Sequence, residues 1–281
     1  PASESAALVF DLENGGCWDK ATETFIEACG DNTVRGYRYS KGWADNQRIY
    51  FHAEFSKPFD SFEVIESGNA DGTILPLYAR ANFNTEEGEQ VLLKVAVSPV
   101  SMEGALANLE DELTDWDFEA TAAAADKAWN EELAKISIET EDEEARKVFY
   151  TALYHSMIAP STFCDVNGDY RGADGKVYQD PGYKTYTTFS LWDTYRAAMP
   201  LYSIFQSERY VDFINTMLAI YKEQGKLPVW HLHGCETDCM VGNPGIPPVA
   251  DAIVKEFEGF DYELAFEAMK NSALRPDRGK D

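Results

Sequence analysis

The hydrophobic period of this chain changes once, between Pro99 and Ser101, and that change sets the architecture. Before it, apolar residues alternate with polar ones. Across Gln47–Phe55, Ile49, Phe51, Ala53 and Phe55 fall on one face and Tyr50, His52 and Glu54 on the other. Residues 89–99 repeat the pattern, which predicts Val91, Leu93, Val95 and Val97 on the core side. A period of two with one polar face marks antiparallel sheets that cover a core on one side. Turn-rich breaks at 68–72 and 86–88 separate the runs, and 34–39, 59–66 and 73–83 read as further strands.

After Ser101 the spacing becomes helical. Residues 103–113 and 119–133, rich in Ala, Glu and Leu, read as two linker helices. In 141–158, Ala145, Val148, Phe149, Ala152 and Leu153 follow the i, i+3, i+4, i+7, i+8 stripe of an amphipathic helix. Residues 191–205 read as one helix. Ser207 is expected to cap another, reaching about Glu223, with Val211, Ile214, Leu218 and Tyr221 as its stripe. Residues 249–258 and 262–272 continue the series. Helix after helix, joined by loops loaded with Trp, Asp and Gly, fits an α/α-toroid. With no internal sequence repeat visible, a regular solenoid is disfavoured.

Charge narrows the partners. Asp and Glu number 49 against 24 Lys and Arg, a formal net charge of −25, so phosphate backbones and anionic membranes are repelled. A neutral glycan suits such a surface, although acidity also serves solubility alone. No stretch approaches the roughly 18 apolar residues of a membrane span, and residues from Pro1 onward lack the pattern of a signal peptide. Five cysteines, an odd number scattered over the chain, are no disulfide framework. Cys235 and Cys239 with His231 and His233 nearby invite a zinc reading. The Cys-x3-Cys spacing and the lack of a second pair argue against it. Asp165-Val-Asn167-Gly-Asp169 fails as an EF-hand, because its Gly falls at position 4 and Lys176 stands where the bidentate Glu belongs.

Two blocks carry the chemistry. Residues 227–251 set Glu236 among Trp230, His231, His233, Cys235 and Cys239, and residues 187–202 hold Trp192 and Asp193. Aromatics beside carboxylates are how a protein holds a sugar ring. A carboxyl walled by apolar and sulfur-bearing neighbours tends to keep its proton, which a general acid requires. Asp238 is the rival carboxylate. The two histidines are assigned no chemistry.

These blocks resemble glycoside hydrolase family 92, the exo-acting α-mannosidases. The matching stretches are SLWDTYR at 190–196, LPVW at 227–230 and G-x-E-T-x-x-M-x-G at 234–242. Weaker matches are FYTALYH at 149–155, NGDYRG at 167–172 and VADA at 249–252. The resemblance implies an α+β multidomain fold truncated at both ends. It would comprise the end of a β-sandwich (1–100), linker helices (101–138) and the first part of an (α/α)6 barrel (139–281), whose remainder is then a missing partner. It implies inverting hydrolysis of terminal α-mannosides, as in N-glycan degradation, with Glu236 as the acid. Trp192 and Asp193 would hold the terminal mannose of the glycan, and Arg196 would orient Asp193. It further implies calcium, with ligands largely outside this stretch, and a periplasmic, secreted or surface location in a bacterium. The carboxylate-rich motifs that supply the family's general base, of the type GNDDCGQMSAW and GNEPSHH, are absent. Asn243-Pro244 stands where an aromatic and a His are common. A non-catalytic carbohydrate-binding or structural toroid protein is the alternative.

Overall fold

The computed structural model describes residues 2–15, 18–68 and 74–275; Cys17 and most of the 68–72 break lie outside them. The first part holds β1 (Ser3–Asp11), β2 (Lys20–Ala28), β3 (Thr33–Lys41), β4 (Gln47–Phe55), β5 (Ser61–Gly68), β6 (Ile74–Thr85) and β7 (Leu93–Ser98). They pair antiparallel into two sheets, ordered β2-β3-β4-β7 and β1-β6-β5. Leu12, Ile26, Val34, Phe51, Phe55, Ala79, Ala81 and Phe83 form the core shared by both sheets. Phe10 of β1 reaches across to Phe51 of β4, with ring centroids 6.0 Å apart.

β4 has the ends expected from its alternation. β1 and β2 were not anticipated. Their runs SESAALVFD and KATETFIEA mix Ala, Glu and Thr and leave the alternation weak. The predicted burial of β7 holds at Leu93, which packs against this core, but fails at Val95 and Val97. Val95 and Val97 are 46% and 53% exposed, whereas Lys94 and Ser98 are buried. Two neighbours explain this. Val95 and Val97 pair with Ala53 and Phe51 and so share their face, but β7 is an edge strand beyond the rim of the three-stranded sheet. Its polar face is roofed by α1 (Met102–Glu112). Lys94 donates to the Leu113 carbonyl at 2.7 Å and lies 4.4 Å from the Trp116 ring centroid.

Helices α1, α2 (Phe118–Leu133) and α3 (Glu143–Ser156) start at Ser101, Asp117 and Asp142, whose side chains accept first-turn N–H bonds. Short strand pairs follow: β8 (Ser161–Thr162) with β11 (Tyr186–Thr187), and β9 (Tyr170–Arg171) with β10 (Val177–Tyr178). Next comes β12 (Phe189–Ser190). The helix expected over 191–205 is broken into α4 (Leu191–Thr194) and α5 (Ala198–Phe205). Pro200 lacks an N–H and clashes with the carbonyl four residues back, so the helix must restart just before it. Then come α6 (Ser207–Gln224), β13 (Trp230–Leu232), β14 (Cys235–Glu236), α7 (Ile246–Val254) and α8 (Tyr262–Leu274). Ser207 is the first residue of α6, not its cap; Gln206 holds that place. Gly225, at φ 79°, ends the helix in the left-handed region. α6 is the spine of the second core. Its Tyr210, Phe213, Ile214 and Met217 pack with Tyr186, Phe189, Leu191, Met199, Tyr202 and Val249.

One polar clasp ties the two parts together. Asp165, buried, accepts from Ser98 Oγ (2.8 Å) at the end of β7 and from Asn108 Nδ2 (2.9 Å) on α1. Asn108 Oδ1 in turn accepts the Val166 N–H at 2.8 Å.

Candidate active site

The site is organised by a small antiparallel sheet ordered β12-β13-β14. His233 and Gly234, both at positive φ (49° and 79°), make the two-residue connection between β13 and β14. That is the backbone a type I′ hairpin needs, and Gly adopts it at no steric cost. Arg171, buried, braces the turn by donating from Nη2 to the His233 carbonyl at 2.7 Å. Thr187 Oγ1 accepts the His233 N–H at 2.6 Å.

The hairpin sets Glu236 opposite His231. The Glu236 carboxyl then curls back onto the preceding chain. Oε2 accepts the Val229 N–H (2.8 Å), while Oε1 accepts those of Trp230 (2.9 Å) and Asp238 (2.9 Å). Burial is the largest influence on this group and raises its pKa above the ordinary glutamate value. The three amides pull it down, and the charge of Asp238 pushes it up again. Asp238, at φ 44°, also lies 3.7 Å from the Lys226 ammonium. Burial and the Arg171 charge lower His231 to about 3, so it is neutral at physiological pH. Burial also lowers His233 and raises the Cys235 thiol.

Trp192 and Asp193 enter from the other edge of the same sheet. Ser190 of β12 pairs with Trp230 of β13, and α4 begins at the next residue. The Ser190 hydroxyl donates to Asp193 Oδ2. Trp192 is half-buried and Asp193 exposed. Arg196 lies with its guanidinium 5.9 Å from the Trp192 ring centroid and 5.0 Å from that of Tyr195. Thus Glu236 lies on the last strand of this sheet and Trp192 and Asp193 on the helix that follows its first strand, Arg196 stands over aromatic rings, and Asp193 takes its hydrogen bond from Ser190.

Sequence reasoning missed the contribution of the strand-rich part. Asn46, in the β3–β4 connection, offers its carbonyl to Cys235 Sγ (3.3 Å) and Arg171 Nη1 (3.4 Å). Trp43 in the same connection meets Trp230, ring centroids 4.4 Å apart. The only early signal was the GWADNQ run itself, polar and turn-like between two good strands. Two clefts lie elsewhere. One, of about 430 Å³, is lined by Tyr202, Arg209 and Asp212, and another, of about 390 Å³, by Tyr170, Tyr183 and Glu223. Neither includes Glu236, Trp192 or Asp193.

Family models match both parts. Residues 1–98 fit the glycosyl hydrolase family 92 N-terminal domain and residues 104–281 its catalytic domain. The chain belongs to glycosyl hydrolase family 92. The chain is similar to a family GH92 alpha-mannosidase from Bacteroides thetaiotaomicron, with 35% identity and a TM-score of 0.92 over 99% of this chain and 39% of that one. That enzyme is also known in complex with mannoimidazole. A family GH92 inverting mannosidase from the same species is 27% identical, with a TM-score of 0.84 over 99% of this chain and 38% of its own. An uncharacterized secreted glycosidase of Arthroderma benhamiae is 27% identical over 270 residues, 92% of this chain and 30% of that protein. The chain therefore spans less than half the length of these relatives. These likenesses bear out a β-sandwich followed by part of an α/α barrel as the fold class.

Among the described residues, no three His, Cys, Asp or Glu side chains converge to hold a metal ion. The described side chains thus offer no carboxylate, imidazole or thiolate cluster that fits the implied calcium ion. No described helix is long and apolar enough to cross a membrane.

Proposed function

We propose that this chain supplies the general acid and part of the terminal-sugar subsite of an exo-acting, inverting α-mannosidase that works on mannose-containing glycans. The observation that carries the reading is the setting of Glu236, a buried carboxyl gripped by three backbone amides on the same small sheet whose first strand leads into the helix bearing Trp192 and Asp193. Oε1 spends both lone pairs on the Trp230 and Asp238 amides. Among the described residues, Oε2 accepts only from Val229, which leaves one lone pair for a transferable proton. Burial keeps that proton on. Once it passes to the bridging oxygen of the glycosidic bond, the same three amides stabilise the carboxylate left behind. Trp192 packs on the terminal mannose, Asp193 accepts from its hydroxyls, and Arg196 backs the Trp192 ring.

Inversion requires a second carboxylate about 6.5–9.5 Å from the acid, to activate water on the opposite face of the ring. We assign that base to residues outside 1–281, because neither carboxylate-rich family motif occurs here. A calcium ion, if the enzyme follows its family, would be completed by the same outside residues. The printed description of the fungal relative as secreted supports a site of action outside the cytoplasm.

The test is the anomer released. The natural protein carrying this sequence, given a terminal α-mannoside and followed by NMR, should release β-mannose first, and Glu236→Ala should abolish release. First release of α-mannose, or an unimpaired Glu236→Ala protein, contradicts the reading.

A further inference from the structure

A row of three tryptophans begins at Glu236 and ends in solvent. The Trp230 backbone N–H donates to Glu236 Oε1, the Trp230 ring meets Trp43 at 4.4 Å, and Trp43 stacks on Trp18 at 5.9 Å with 26° between the planes. Trp18 is 72% exposed. Single exposed apolar residues are ordinary, but this one is held in place. Arg38 of β3 donates from Nε to the Leu12 carbonyl (2.8 Å) and from Nη2 to that of Glu13 (3.3 Å). Its Nη1 pairs with Asp19, next to Trp18, at 2.6 Å, with the two side chains only 10% and 8% exposed. Burying an ion pair costs free energy. Here the pair fixes the backbone beside an exposed aromatic ring. Gly42 closes the arrangement, since a Cβ there would stand 2.6 Å from Asp19 Cα. The Asn46 carbonyl then fastens the Trp43 turn to Cys235 and Arg171 of the acid's own surroundings.

We propose that Trp18 and Trp43 form an aromatic wall that stacks a neutral hexopyranose ring on the leaving side of the bond that Glu236 protonates. The inference rests on the reading of Glu236 as general acid. A pyranose offers an apolar C–H face to an aromatic ring, and the net charge of −25 disfavours an anionic occupant. The proton from Glu236 goes to the bridging oxygen, which departs with the second sugar. Trp192 and Asp193 follow Ser190, the residue that pairs with Trp230, on α4 and serve the terminal ring. Trp43 and Trp18 adjoin Trp230 from the strand-rich part and run outward, where the second ring lies.

The test compares two substrates of the natural protein carrying this sequence. One is an α-mannosyl-mannose disaccharide. The other is α-mannosyl fluoride, which has no second ring. Trp18→Ala should lower kcat/KM for the disaccharide about 5- to 10-fold, mainly through KM, and leave the fluoride within about 2-fold. Trp18→Tyr, which keeps a ring to stack on, should recover most of the loss. A wild type active on both substrates, whose Trp18→Ala variant loses neither or both alike, overturns the wall and leaves the acid standing. A wild type inert to both overturns the mannosidase reading and the wall with it.

Discussion

Glu236 is pulled in two directions. Burial and the negative charge of Asp238 favour its protonated form, and the amides of Val229, Trp230 and Asp238 favour its carboxylate. The net direction is upward, so the proton is retained to higher pH than on an ordinary glutamate. A rate that needs this proton falls as pH rises through the raised value. Asp238→Asn removes the neighbouring charge and keeps the amide that binds Oε1. It should therefore move the alkaline limb of kcat/KM against pH to lower pH; an unmoved limb, or one moved upward, contradicts this electrostatic account. The candidate acid was legible in the sequence because a carboxyl among Trp, His and Cys is an unusual local composition. Its grip was not. His233-Gly234 reads as loop until both residues are seen at positive φ, closing a hairpin. Arg171 was quoted only as part of a motif. Its bonds to His233 and Asn46, 62 and 125 residues away, are not properties of any local window.

At the scale of elements, local preference and packing can be set against each other. Gly104 lies in the first turn of α1, where an alanine would favour the helix by about 1 kcal/mol. Packing opposes it. A Cβ there would stand 2.1 Å from Asp165 Oδ2 and 2.8 Å from Ser98 Oγ, inside the clasp that joins the two parts. Displacing that carboxylate strands the Asn108 amide and the Ser98 hydroxyl, at about 1–3 kcal/mol per buried polar group. Gly104→Ala should thus lower Tm in a thermal melt; a raised Tm would show that propensity wins and the clasp is dispensable. Element type was well marked by period, as β4 shows by matching its expected ends. Sidedness was less so. Val95 and Val97 face the right way, but they sit at a sheet edge that the partner sheet does not cover, and only the sheet order reveals an edge. The split of 191–205 was within reach, since Pro200 stands in plain view.

At the scale of the whole molecule, the two parts meet at the Asp165 clasp and again in the surroundings of Glu236. The helical part presents Glu236 on its hairpin and Trp192 with Asp193 on the helix that follows the adjoining strand. The strand-rich part adds Trp43 and the Asn46 carbonyl. The relatives are more than twice as long, and the base that completes the chemistry is assigned to the additional length. On the proposed reading, what this chain contributes by itself is a proton for the leaving oxygen, and that contribution has its own signature. A poor leaving group needs the proton, whereas an activated aryl group departs without it. The most direct measurement is kcat/KM of wild type and Glu236→Gln, in the natural protein carrying this sequence, on a mannosyl-mannose disaccharide and on an activated aryl α-mannoside. The variant should lose about 10²–10⁴-fold on the disaccharide and far less on the aryl substrate. Equal losses on both, or none on either, would mean that Glu236 is not the acid.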